Sequence, residues 1–233
     1  MYLAMKEIKV LDHGLVRLVD SMGNDLSVVR AARNSYDAAW RAGDDKSGDE
    51  KLLRYLWKNR HTTPFEAATV SFEIKAPVFV FRQWHRHRTQ SYNEISARYK
   101  ELPDLFYVPD IDKIGVQSKD NKQMREFGGQ LTEEQEENLR YEQGLYKANC
   151  QACFENYHEL ISRGWPRELA RGGLPFATYS NMFATMNLLN ALKFIELRSH
   201  EHAQYEIRVY AEAMLHLLED LFPVIIKIFR EGQ

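Results

Sequence analysis

The stretch Thr69 to Tyr99, TVSFEIKAPVFVFRQWHRHRTQSYNEISARY, decides both the fold and the chemistry. Its first seven residues, Thr69 to Lys75, alternate apolar and polar without exception, the signature of a strand with one buried face. Pro77 then opens an apolar run. Proline is favoured at the first position of a helix, and Phe79, Gln83, Arg86 and His87 recur at helical spacing beyond it. From Arg82 onward the segment turns cationic, with Arg82, Arg86, Arg88 and Arg98 beside His85 and His87 and a single carboxylate, Glu94.

Guanidinium groups this close repel one another unless they are solvated or share an anion, and the planar fork of Arg suits phosphate oxygens bidentately. Trp84, Tyr92 and Tyr99 are interleaved with the small donors Ser91, Asn93 and Ser96. The set reads as a polar pocket wall with aromatic rims, suited to a nucleotide that carries a phosphate and a flat ring. The plainer alternative is a solvated basic face.

Composition bounds the alternatives. The 233 residues hold 31 Lys and Arg against 33 Asp and Glu, a formal net charge of −2, so no global field favours a polyanion and any anion must be gripped locally. A hydrophobic share of 44% with 27% charged residues is that of a globular chain with a core. The apolar runs Ala76 to Phe81 and Leu221 to Ile226 fall far below the roughly 20 residues that span a bilayer. Only two cysteines, with no basic-then-apolar opening, make a reducing cytoplasm the expected compartment.

Outward from the decisive stretch, Ile8 to Val19 reads as a hairpin about His13-Gly14. Asn24 and Asp25 stand where a cap belongs before a short helix from Leu26 to Arg33, and a second helix spans Lys51 to Lys58 after a polar turn, Arg41 to Glu50. Glu101 to Arg125, extending to about residue 130, reads as a long polar surface loop. A helix of about eight turns runs from Thr132 to Arg163, stopped by Gly164 and Pro166. Further helices are expected over Thr185 to His200 and Gln204 to Phe222, the latter with Ile207, Ala211, Met214, Leu218 and Leu221 facing the core. The chain reads as one domain.

Arg86-His87-Arg88 followed after seven residues by Ser96 resembles the signature of the flavin-dependent thymidylate synthases. The likeness extends to MGND and VRAAR within Met22 to Arg33, HTTPFE at His61 to Glu66, FEIKAPVFVFRQW at Phe72 to Trp84, PRELARGGLP at Pro166 to Pro175 and LRSHEHAQYEIR at Leu197 to Arg208. The resemblance implies an α+β fold, an antiparallel sheet packed with long helices, in a homotetramer with active sites at subunit interfaces. It implies FAD as cofactor, NADPH and 5,10-methylenetetrahydrofolate as co-substrates, and conversion of dUMP to dTMP. By the same resemblance Thr63, Arg86, His87, Arg88, Glu94, Asn187, Leu189 and Lys193 would bind FAD. Gln83, Trp84, His85, Arg86, Glu94, Ile95, Ser96, Ala97, Arg98, Arg171 and Arg198 would bind dUMP. Arg198 and His61 would be catalytic, Arg198 beside the uracil and His61 at the flavin edge of a neighbouring chain.

This chain departs from the family pattern at Leu189 and Lys193, where Arg and His or Asn are frequent, and at Ala97, where Gly is frequent. Ala97 suits the position only if its backbone needs no positive φ. None of the 12 glycines forms Gly-x-Gly-x-x-Gly, so a flavin would be held by side chains from several segments.

Three competing readings use the same residues. A cysteine nucleophile is disfavoured because Cys150 and Cys153 lie in the long helix away from every cationic block, and Ser96 has no clear base beside it. A metal-dependent hydrolase would need the pairs His85-x-His87 and His200-x-His202, with His61 and Glu66 or Glu201, but residues i and i+2 diverge by about 200° on a helix. A nucleic-acid module would stack bases on Trp84, Tyr92 and Tyr99, against which the balanced charge counts. No metal, nucleic acid or membrane partner is expected.

Overall fold

The computed structural model describes residues 6–122, 124–126 and 131–232. The part of the expected loop at 127–130 lies outside these, as does position 123. In chain order the elements are β1 (Lys6–Val10), β2 (Gly14–Met22), α1 (Asp25–Asn34), α2 (Lys46–Lys58), β3 (Thr69–Pro77), α3 (Val78–Trp84) and β4 (Ser91–Glu94). There follow α4 (Ile111–Ile114), β5 (Val116–Gln117), β6 (Arg125–Glu126), α5 (Glu133–Ser162), α6 (Arg167–Ala170), β7 (Tyr179–Asn187), α7 (Leu188–Arg198), α8 (Tyr205–Leu218) and α9 (Pro223–Glu231).

Strands β1, β2, β3, β7 and β4 form one antiparallel sheet in that order, with β3 at its centre. Val70, Phe72, Ile74 and Ala76 are fully buried on one face, where Met182, Ala184 and Met186 of β7 join them against α1, α7 and α8. The other face is polar. There Arg17 bonds the carboxylates of Glu7 and Glu73, its direct neighbours across both strand pairs, and Ser71 Oγ meets Thr185 Oγ1 at 2.8 Å. A second core of Phe106, Tyr107, Phe154, Tyr157 and Tyr179 fixes α5 against the chain that precedes it.

The long helix forms as expected, opened by a capping box between Thr132 and Gln135, and spans about 45 Å. Other boundaries shift for identifiable reasons. Thr185 to Asn187 end strand β7, and the helix expected from Thr185 starts at Leu188, because Asn187 caps it by accepting the Asn190 N–H at 2.9 Å. Helix α2 begins at Lys46, inside the expected polar turn, with Asp45 capping Gly48. Asn24 caps α1, whereas Asp25 accepts the backbone N–H groups of Val224 and Ile225 at the start of α9. That helix, opened by Pro223 after α8 ends at Leu218, was not anticipated. Within the expected loop Leu102, Phe106 and Tyr107 are buried, so this segment is anchored rather than superficial.

Among the described residues no helix is long and apolar enough to cross a membrane.

Candidate active site

Helix α3 is only seven residues long, so the cationic segment that follows leaves it and turns. Val80, Phe81 and Trp84 hold the helix in the core. The Trp84 indole is fully buried, 4.3 Å from the Phe194 ring and donating to Gln90 Oε1 at 3.0 Å. Trp84 is therefore an anchor and not the aromatic rim its position in the sequence suggested. Tyr92 secures the turn by donating its hydroxyl to the carbonyl of His87 at 2.6 Å, and burial raises its pKa to about 12. Only Tyr99, 83% exposed, has the openness of a rim.

The structure divides the sequence-expected residues between two places. Val78 and Arg82, one turn apart on α3, line a cavity of about 360 Å³ with Glu94, Ile95, Ala97 and Arg171. Ser180 on β7 lines it too and donates to Glu94 Oε1 at 2.7 Å. Thr178 Oγ1 is a buried hydroxyl in the same wall without a hydrogen-bond partner among the described residues. Arg98 pairs with Glu168 at 3.0 Å, and Arg171 Nε donates to the Glu168 carbonyl at 3.4 Å, so one residue gathers both guanidinium groups beside the cavity. Ser96 Oγ accepts the Arg98 N–H at 3.3 Å, which shapes the turn and leaves the hydroxyl without an adjacent base. The non-glycine residues with positive φ are Leu11, Asp37 and Arg60, so the Ala97 backbone accommodates a side chain. Arg82 stands out in the sequence as part of the cationic segment, whereas only their clustering in space marks Glu168, Thr178 and Ser180.

The second place is the C-terminal end of α7. Arg198 donates from Nε to His87 Nε2 at 3.0 Å and from Nη2 to the carbonyl of Gln83 at 3.1 Å. Because Nε2 accepts, His87 is the neutral ring protonated on Nδ1. Burial against Phe194 and then the charge of Arg198 lower its pKa to about 4. Burial, then Arg86, lowers that of Arg198. Arg86 and Arg88 have no ion pair among the described residues, and neither does Arg198. Two guanidinium groups are thus held near each other around a neutral imidazole with no carboxylate to balance them. His85, in contrast, faces the sheet, with Nε2 3.3 Å from Met182 Sδ.

The remaining expected residues lie along the first half of α7 and on the segment that packs against it. Asn187 is its cap, Lys193 is exposed on it, and Leu189 is buried in the core with 4% of its surface accessible. The short turn Thr63–Ala67 packs on the same helix. His61 precedes it, set 5.7 Å from the Tyr55 ring, after Arg60 ends α2 in a left-handed conformation at φ 58°. Such a conformation in an arginine costs about 1–2 kcal/mol and aims His61 out of the helix path.

Cys150 is buried in the second core with a raised thiol pKa, caused first by burial. An activated nucleophile needs the opposite. Among the described residues no three His, Cys, Asp or Glu side chains converge as a metal site. His200 and His202 lie in the turn between α7 and α8, apart from the helical context expected for them.

Residues 17–224 match the family described as "Thymidylate synthase complementing protein". The flavin-dependent thymidylate synthase of Ehrlichia ruminantium (strain Gardel) is 45% identical over 226 residues, covering 97% of this chain and 73% of the relative. That of Wolbachia pipientis wMel is 41% identical over 228 residues, covering 97% and 77%. Among solved structures, the UMP/dUMP methylase PolB from Streptomyces cacaoi bound with 5-Br dUMP superposes with a TM-score of 0.81 at 36% identity, covering 96% of this chain and 97% of PolB. The signature, the order of the motif blocks and these matches agree: the chain belongs to the thymidylate synthase complementing protein family, the flavin-dependent thymidylate synthases.

Proposed function

We propose that the protein converts dUMP to dTMP, with 5,10-methylenetetrahydrofolate as carbon donor and NADPH as reductant. The observation that carries this reading is the unbalanced pair of guanidinium groups at Arg86 and Arg198 around neutral His87. A cavity has a wall that holds Arg82, Arg171 and a Thr178 hydroxyl unpartnered among the described residues. Exposed guanidinium groups without ion pairs, an amide at Asn187 and a neutral imidazole are a donor set that fits FAD, an anionic dinucleotide with a hydrogen-bonding ring. Arg86, His87, Arg88, Asn187, Lys193 and Glu94 would hold it, with Leu189 contributing its backbone because its side chain is buried. His61 and Thr63 would reach it from a neighbouring protomer of a homotetramer. Once bound and reduced by NADPH, the flavin would supply the hydride that completes the methyl group.

The chain's own residues position and polarise the nucleotide. Arg82, Arg98 and Arg171 take its phosphate, and phosphate would replace Glu168 as the partner of Arg98. Glu94, Ile95, Ser96 and Ala97 form the strand end and turn along which the nucleotide lies, with Gln83 and Arg86 facing it. Trp84 and His85 support this wall from behind. Arg198 sits on the uracil, where a fixed cation beside N3 and the ring carbonyls stabilises negative charge on the ring and raises electron density at carbon 5. Half-burial strengthens that effect.

The purified protein is expected to be yellow, to bleach reversibly with NADPH under anaerobic conditions, and to release the carbon-5 hydrogen of dUMP when methylene-folate is supplied. A colourless protein that binds no added FAD overturns the reading.

A further inference from the structure

The carboxylate of Glu206, in the first turn of α8, is almost completely buried, with 1% of the residue accessible. It accepts from Tyr107 Oη at 3.2 Å, from Arg125 Nη2 at 2.8 Å and from Gln204 Nε2 at 2.7 Å. Gln204 in turn offers its carbonyl oxygen Oε1 to Gln83 Nε2 at 2.5 Å. The proposed function uses none of the residues of this chain except Gln83.

The order of donors and acceptors along it is forced. An ionised carboxylate only accepts, so the Gln204 amide must turn its NH₂ group toward Glu206 and its oxygen toward Gln83. That oxygen also only accepts, so Gln83 must turn its NH₂ group toward Gln204. The oxygen of Gln83 is then the end of the amide left for the site. We infer that Gln204 is a positioning residue which, with its sense set by Glu206, fixes Gln83 to present a hydrogen-bond acceptor to a donor on the nucleotide. Uracil N3–H and the ribose 3′-hydroxyl are the donors of that class. The inference rests on the proposed nucleotide site and adds a polarity to it: without the relay the Gln83 amide is free to invert and offers the donor to the donor half of the time. The buried carboxylate also ties Tyr107 and Arg125, both from the segment before α5, to the start of α8, so the expected loop takes part in holding the relay.

Gln204 is itself exposed, so its replacement disturbs no apolar packing and leaves only the Glu206 carboxylate short of a donor. The test is a double-mutant cycle on the flavin-loaded protein, with dUMP affinity read by calorimetry and thermal stability read separately. Gln204→Leu is expected to weaken dUMP roughly three- to tenfold, the range of one neutral hydrogen bond, and to lower Tm by a few degrees in either background because Glu206 Oε2 loses its donor. In the Gln83→Leu background the same change is expected to do nothing further to dUMP affinity, because its effect passes through Gln83. Glu206→Gln, which removes the acceptor-only character, should weaken dUMP at least twofold and also fall silent in the Gln83→Leu background. Loss of the Gln204 effect with N3-methyl-dUMP assigns the donor to N3–H, and loss with the 2′,3′-dideoxy nucleotide assigns it to the 3′-hydroxyl. Additive effects of Gln83→Leu and Gln204→Leu, or unchanged affinity in Gln204→Leu, overturn the relay. A wild-type protein that binds FAD but no dUMP overturns the nucleotide site itself.

Discussion

Neutral His87 makes a quantitative prediction about acid stability. Its Nε2 accepts from Arg198, and protonation would set an N–H against an N–H and a second positive charge beside the guanidinium. The folded protein therefore holds the ring pKa at about 4, from an ordinary 6.5, with burial the larger cause and Arg198 the second. A base with a depressed pKa leaves the unfolded chain binding more protons between those two values. Stability consequently rises with pH across that window, is fully present above 6.5 and is lost as the pH falls toward 4. For these two values linkage gives about 2 kcal/mol of loss between pH 7 and pH 5. The ring keeps some contact with solvent, and screening halves this to about 1 kcal/mol. His87→Gln keeps an acceptor for Arg198 and removes the titration. Urea denaturation of both proteins at pH 7 and pH 5 cancels the groups they share. The wild type is expected to lose about 1 kcal/mol more than the variant. Equal losses, or a His87 ring that titrates near 6.5 by NMR, refute the reasoning.

Two further substitutions separate the cavity from the scaffold. Arg171→Ala should raise the KM for dUMP by about 10- to 100-fold, the worth of a charge-assisted phosphate contact, while FAD content stays constant; steady-state kinetics with FAD absorbance checks both. Asp25→Ala removes the acceptor for the first N–H groups of α9 and should cost about 1–2 kcal/mol in urea denaturation, with kcat unchanged because this cap lies away from the site.

What could be read from the sequence followed the strength of local periodicity. Strand β3 alternates valine, phenylalanine and isoleucine with polar residues, and it forms as expected with one face buried. Strand β7 has the same inward pattern, but its inward residues are methionine and alanine and an outward residue is Phe183. Helix formers inside and an aromatic outside conceal the period, so its last residues were assigned to the helix that follows. The cationic segment stands out in the sequence because composition alone concentrates it. The contact between His87 and Arg198 joins residues 111 positions apart, and Thr178 and Ser180 reach the cavity only because β7 pairs with β3 and β4. No local signal carries such pairings. The role of Trp84 was misread for a related reason, since its helix turns the indole inward onto Phe194, a neighbour supplied by a distant segment.

The near balance of charge that excluded a polyanion surface conceals how the charges are placed. Arg17, Arg54 and Arg125 each meet a carboxylate, so their positive charge is spent within the protein. Arg86 and Arg198 meet none among the described residues and oppose each other, which lowers the pKa of Arg198 after burial has already done so. Under the proposed function an anion seated between them would relieve that repulsion, and part of its binding free energy would come from this relief. His87 and Arg198 are held before any ligand enters, by Phe194, the Tyr92 hydroxyl and the Gln83 carbonyl, so ordering them costs little further entropy. An anion that seats at Arg198 gains its own contacts and removes a repulsion that the folded protein otherwise carries.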